Sequence, residues 1–253
     1  MVMPSSKAVF GYDVIGSSSV DDDQLELLRG DAKELVEAAL DKAGIDLATQ
    51  RNYSATGDGS LCAFSEPDLP ALIDAAYELH CLLYNHNRRH LPTIQVRLAA
   101  HAGPVVVSDG EHFQRPTIDL ARLLDAKEFK ALVKALDARL AVTAALIISD
   151  QAYRDAVKGG HTQKLTAHDF ARLEVENKEF SAHCWVWAPG LDPDALPQLD
   201  PSPTAAPAAS PSHFETPAGT SSQHIGGSVY GVAIGGNNGG SITSNVGYPG
   251  GQR

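Results

Sequence analysis

Two spacings of apolar residues alternate along the first 188 positions, and each change of spacing marks an element. Residues 8–12 form a short apolar and aromatic run that predicts a first strand, broken at Asp13-Val14-Ile15-Gly16 and a serine cluster. Over residues 22–43, Leu25, Leu28, Ala32, Leu35, Val36 and Leu40 recur at helical spacing, with Asp21 or Asp22 as the cap and Gly44 at the end. Residues 51–55 and 60–64 flank Thr56-Gly57-Asp58-Gly59, a tight turn between strand-like runs that predicts a hairpin. A second helix is expected over residues 70–89, then a strand over 94–100 and another apolar run over 104–107, separated by His101-Ala102-Gly103. Residues 119–126 and 129–136 read as helices, and 140–149 as a strand buried on both faces. A short helix over 150–157 and two closing strands over 170–175 and 182–188 complete the pattern.

The order β-α-β-β-α-β, continued by further helix and strand, predicts an α+β fold of the ferredoxin-like, split βαβ kind. After Pro189 the pattern stops. Residues 189–225 are rich in Pro, Ala and Ser and too poor in large apolar residues to offset ordering entropy, so a disordered linker is expected. Residues 226–253 form a low-complexity Gly/Asn-rich tail, punctuated by Val229, Val232, Ile234, Ile242 and Val246. The expected organisation is a domain over 1–188, the linker, and the tail.

Charge narrows the function classes. A formal net charge of -11 argues against a nucleic-acid partner or an anionic membrane surface, since both call for a basic face. No stretch approaches the roughly 20 apolar residues of a membrane span, and no signal peptide is evident at the start, so a cytoplasmic protein is expected. Cys62, Cys81 and Cys184 lack metal or disulfide spacing and are expected to be buried reduced thiols.

Candidate chemistry centres on two acids at strand ends. Asp13 follows the first strand, and Asp58 lies at the hairpin tip. If the split βαβ plan holds, both carboxylates meet at one end of the sheet, where they can hold divalent cations that bridge phosphate oxygens. By residue type alone, the pair is also what two ordinary turn aspartates look like.

Phe10-Gly11-Tyr12-Asp13-Val14-Ile15-Gly16-Ser17-Ser18 and Thr56-Gly57-Asp58-Gly59-Ser60-Leu61-Cys62-Ala63-Phe64 resemble the opening strand-turn and the hairpin of class III adenylate and guanylate cyclases, the first two of five segments that resemble this family in order. Val96-Arg97-Leu98-Ala99-Ala100-His101-Ala102-Gly103-Pro104-Val105 is similar to a later strand pair joined at His-x-Gly. Leu120-Ala121-Arg122-Leu123-Leu124-Asp125-Ala126 resembles the helix of the transition-state arginine, and Leu146-Ile147-Ile148-Ser149-Asp150 the strand after it. The resemblance implies cyclisation of a nucleoside triphosphate with release of pyrophosphate. It implies two Mg2+ or Mn2+ ions on Asp13 and Asp58, helped by the backbone carbonyl of Val14 or Ile15. It implies a head-to-tail homodimer in which Arg122 reaches across to the triphosphate and Lys178 contacts phosphates. Two places depart from the family. Ile118 stands where the ribose-orienting Asn is usual; aligning Asp119 there instead puts Leu123 at the arginine place. Arg51-Asn52-Tyr53-Ser54 replaces the purine-selecting Lys, leaving Tyr53 or Ser54 to line the base pocket and the base open. A catalytically weak nucleotide sensor or scaffold is the alternative.

In the tail, Val232-Ala233-Ile234-Gly235-Gly236-Asn237-Asn238 resembles the core of the RIP homotypic interaction motif and related bacterial amyloid signalling motifs. That resemblance implies partner proteins carrying a matching motif. A flexible tail without partners is the other reading of its composition.

Overall fold

Ten residues of continuous β-structure, β1 (Ser5–Val14), run through the interior of a seven-stranded sheet. The computed structural model describes residues 5–17, 21–49, 51–55, 57–105, 115–140, 142–177 and 180–195. The chain separates into two units, Met1–Pro203 and Thr204–Arg253. The expected tail, most of the expected linker and Lys178 lie outside the described residues.

Helix α1 (Asp22–Lys42) starts at Asp21, whose side chain accepts the Gln24 N–H at 3.0 Å. The hairpin β2 (Arg51–Ala55) and β3 (Gly59–Ser65) follows, then α2 (Leu69–Asn87) and β4 (Val96–Val105). These elements make the split βαβ unit: the strand order is β2-β3-β1-β4 and each pairing is antiparallel. After α3 (Arg115–Leu124) and α4 (Lys127–Leu140), β5 (Ala144–Ser149) joins β4 in parallel. A helix begun at Asp150–Ala152 continues as π-helix through Tyr153–Lys158, and β6 (Ala171–Asn177) and β7 (Phe180–Trp187) close the sheet in the order β5-β7-β6.

Both faces of the sheet are covered. Phe10, Phe64, Leu98 and Leu146 belong to one core with Leu72, Leu79 and Leu83 of α2. Val9, Leu61 and Ile147 belong to the other with Leu120, Leu123 and Phe129 of α3 and α4. Two covered faces are why β5 reads as an unbroken apolar run rather than an alternation.

Three elements differ from the pattern. The apolar runs on either side of His101-Ala102-Gly103 are one strand, because β1 pairs with β4 from Ser5↔Val105 to Val14↔Val96 and carries the ladder through the less apolar stretch. The run over 140–149 is divided: α4 extends to Leu140 and β5 begins only at Ala144, since an apolar run by itself does not distinguish a helix end from a strand. The helix expected from 119 begins at Arg115. Cys62 and Cys184 are buried free thiols, and burial pushes them up to about 11 and about 12, while Cys81 is half-buried. No described helix is long and apolar enough to cross a membrane.

One buried acid ties distant chain together. Asp74 of α2 accepts the backbone N–H groups of Gln163, Lys164 and Leu165 at 2.6, 3.0 and 3.1 Å. Among the described residues those donors have no other hydrogen-bond partner, so Asp74→Ala is expected to cost roughly 3 kcal/mol in urea unfolding, with Asp74→Asn, which keeps an acceptor, costing less.

Candidate active site at the carboxylate end of the sheet

The approach of Asp58 to Asp13 is set by two glycines. Gly57 has φ +90°, a left-handed conformation that turns the hairpin tip. Gly59 lies opposite Asp13 in the β1–β3 register, where a Cβ would stand 1.9 Å from the Tyr12 carbonyl oxygen. Only glycine lets the hairpin pack this closely on β1. The Val14 N–H then donates to the Asp58 carbonyl at 3.2 Å, and the Ser17 hydroxyl donates to Asp58 Oδ2 at 2.6 Å. The loop after β1 is held on its far side by Ile15, whose N–H donates to the Gln95 carbonyl at 2.9 Å. Asp13, Val14, Ile15 and Asp58 are thereby brought together.

Arg97 completes the cluster. It lies opposite Asp13 in the β1–β4 register and grips it through two bonds, Nε to Oδ1 at 3.1 Å and Nη2 to Oδ2 at 2.5 Å. Both side chains are largely enclosed, with exposures of 14% for Arg97 and 21% for Asp13. Burial is the largest influence on the Asp13 carboxyl and raises its pKa above the ordinary 3.8; Arg97 opposes this, the Asp58 charge adds to it, and Lys130 opposes it. Arg97 and Lys130 were not singled out by the sequence reading. A charged residue in the apolar run Val96-Arg97-Leu98 was the available signal, but only the strand register reveals its partner.

The residues fit a divalent cation. Two carboxylates and a hydroxyl supply hard oxygen donors of the kind Mg2+ and Mn2+ take, and Mg2+ is commonly held by one or two carboxylates with substrate phosphates supplying the rest. Burial first, and the Asp58 charge in addition, disfavour the ionised Asp13 carboxylate, and a cation bound beside it would favour that form. Among the described residues, no cluster of three or more His, Cys, Asp or Glu side chains stands ready for a metal.

Arg122 belongs to a different cluster. On α3, its Nη1 donates to Asp119 Oδ1 at 3.1 Å, and Arg115 Nε donates to Asp119 Oδ2 at 3.0 Å. His101, hydrogen-bonded to the Ser149 hydroxyl at 2.8 Å, lies within the field of Asp119; burial lowers its pKa and the carboxylate partly opposes this. Arg122 keeps 30% side-chain exposure, whereas Leu123 is 1% exposed in the core. Of the two positions weighed for the arginine, Arg122 alone can present its side chain to another molecule. Its charge is not among the influences on Asp13 within one chain. Tyr53 and Ser54 lie on β2, the edge strand beyond β3 from β1, and Lys178 lies outside the described residues.

No family model and no curated protein matches this sequence. Solved structures do match the fold. The chain superposes on the adenylyl cyclase CyaB from P. aeruginosa with a TM-score of 0.50 at 13% identity, covering 74% of this chain and 95% of that one. An adenylate/guanylate cyclase/hydrolase from Silicibacter pomeroyi matches with a TM-score of 0.50 at 22% identity, over 74% and 99%. The guanylyl cyclase Cya2 matches with a TM-score of 0.52 at 13% identity, over 74% and 93%. The described residues therefore have the fold of class III adenylyl and guanylyl cyclase catalytic domains.

The opposing influences on Asp13 can be separated by titration. Its raised pKa means the folded chain holds a proton there more tightly than the unfolded chain, so stability falls as pH rises from 3.8 through the folded value. Carboxyl-detected NMR is expected to show the Asp13 pKa rising further in Arg97→Met and falling in Asp58→Asn.

Proposed function

We propose that this protein is a metal-dependent nucleotidyl cyclase that converts a nucleoside triphosphate to a 3′,5′-cyclic nucleotide and pyrophosphate in signalling or defence. The observation that carries the reading is the carboxylate pair Asp13 and Asp58, set side by side by Gly59 at one end of a sheet with the cyclase fold. Matched structures include adenylyl and guanylyl cyclases, and the base is left open between them and the pyrimidines.

Asp13 and Asp58 hold the ions, with a main-chain carbonyl of Val14 or Ile15 alongside. Bound there, Mg2+ or Mn2+ supplies Lewis-acid activation of the ribose 3′-hydroxyl and neutralises triphosphate charge. Arg97 favours the ionised form of Asp13 and aims it, and its guanidinium can turn to a phosphate oxygen, a geometry that suits a fork of donors. Arg122 serves the partner subunit's site in a head-to-tail homodimer, stabilising charge that develops on the transferred phosphoryl group. Tyr53 or Ser54 faces the base, and Lys178 meets the phosphates. A second reading, a weak cyclase acting as sensor or scaffold, is favoured by one observation: Arg97 and Arg122 are both engaged by carboxylates of their own chain.

Incubation with each of the four triphosphates and Mn2+, followed by chromatography, is expected to give one cyclic product. Asp13→Asn and Asp58→Asn should each fall to about one hundredth of the rate or less, the scale for losing a group that stabilises transition-state charge. Mixing Asp58→Asn with Arg122→Ala should restore activity at one of two composite sites. Product formation by both carboxylate variants at the full rate refutes the reading; no product from any triphosphate leaves the sensor.

The tail is proposed to assemble with matching motifs through Val232 to Asn238, by stacking identical strands with Val and Ile in dry contact and Asn in ladders. A peptide of residues 226–251 is expected to form thioflavin-positive cross-β fibrils, and Ile234→Asp to prevent them, because stacked buried charges repel. A peptide that stays monomeric at high concentration removes this proposal and leaves the cyclase reading intact.

A further inference from the structure

A second concave site lies beside the carboxylate cluster, with no part in the chemistry above. It is a cavity of about 650 Å³ at the starts of β4 and β5, walled by the C-terminal half of α2, by Asp137 of α4 and by Pro189. That volume is within the range of small-molecule sites, roughly 300–1,000 Å³.

Its lining divides into three kinds of surface. The rings of Tyr84 and His80 pack against each other, 6.3 Å apart and tilted by 50°, so the two together present an aromatic surface to the cavity. Tyr84 is 53% exposed, so part of its ring is open to a ligand. His80 is fixed in place, with Nδ1 bonded to the buried Thr143 hydroxyl at 2.8 Å and its ring edge-on to Trp187. Burial lowers its pKa, so the ring is neutral at pH 7.

The second surface is cationic. Arg88 lies 5.8 Å over the Tyr84 ring and forms no ion pair with any carboxylate among the described residues. The third accepts hydrogen bonds. Gln95 spends its amide N–H groups on Asp137 Oδ1 and the Val142 carbonyl, at 2.5 and 2.9 Å. Its own oxygen and the remaining Asp137 oxygen have acceptor capacity left for N–H donors of a ligand in the cavity that both residues line.

We propose that this cavity binds a planar heteroaromatic anion of the nucleoside monophosphate type, its ring stacked on Tyr84 beside His80, its anionic group on Arg88, and its ring N–H groups toward Gln95 and Asp137. The cavity wall is joined to the carboxylate site. The Gln95 carbonyl receives the Ile15 N–H, the Val96 N–H donates to the Thr143 carbonyl at 3.0 Å, and Arg97 is the next residue. Occupancy therefore braces the strand that presents Arg97 to Asp13. This regulatory consequence rests on the proposed cyclase reading; the binding itself does not.

Binding is tested by calorimetry on the full chain in EDTA, so that the carboxylate site is without metal. The probes are linear 5′-monophosphates, 3′,5′-cyclic nucleotides, the uncharged nucleosides and inorganic phosphate. Saturable binding of at least one nucleotide is expected, with nucleoside and phosphate each far weaker. Arg88→Gln and Tyr84→Ala change exposed side chains and should leave thermal unfolding in place, while each weakens binding by about tenfold, the effect of one charge-assisted bond or one stacking contact. Asp58→Asn should leave the affinity unchanged. The proposal is overturned by the absence of saturable binding at millimolar probe, by equal binding of phosphate alone, or by affinity that follows Asp58→Asn and ignores Arg88→Gln. Linear and cyclic nucleotides compared side by side identify which source of the shared chemistry the cavity takes. Loss of turnover with binding intact fails the cyclase reading alone.

Discussion

β1 is hydrogen-bonded along both edges, to β3 from Lys7 to Asp13 and to β4 from Ser5 to Val14, and a strand held on both sides cannot slip by one residue without turning every side chain to the wrong face. Val9 is committed to one core and Phe10 to the other, so the register is enforced by two separate apolar penalties. The consequence at the strand end is chemical. The same register that buries Val9 and Phe10 puts Gly59 on one side of Asp13 and Arg97 on the other. The acid cluster is thus a by-product of core packing, and it inherits the rigidity of the core.

That rigidity explains how an unfavourable arrangement persists. Asp13 is desolvated and faces a second carboxylate, both of which disfavour its charge. Arg97 and Lys130 offset part of this, but the pKa stays raised. Two acids crowded at a sheet end are a weak stability device, and a divalent ion bound between them would remove the repulsion. The main-chain bonds from Val14 and Ile15 keep the loop from swinging away to relieve the crowding.

The same logic links the sheet end to its surroundings. The start of β4 is shared: Gln95 faces the cavity and anchors Ile15, while Arg97, two residues on, faces Asp13. Nearer the start of α2, Asp74 gathers three N–H groups of the segment after the π-helix onto that helix. Buried polar groups in this molecule act as fasteners between elements far apart in sequence, where apolar contact alone is tolerant of small shifts.

How much was legible in the sequence depends on the range over which each feature is determined. Helical spacing located α1 and α2, and the Gly-Asp-Gly turn located the hairpin, because both signals are contained within one element. Asp13 and Asp58 could be singled out for the same reason: each sits at a punctuated strand end. The split βαβ order followed from the succession of elements, and the sheet observed has that order. Beyond the approach of Asp13 to Asp58 that this order implies, contacts between strands were out of reach. The His101-Ala102-Gly103 stretch reads as a break until β1 is laid against it, and Leu140 reads as strand until α4 is seen to claim it. Arg97 reads as an ordinary strand residue until the ladder places it against Asp13. Local pattern determined which elements form and where the candidate acids stand; tertiary structure decided which charges lie against them, because pairing depends on register, and register is settled by burial of two apolar faces at once.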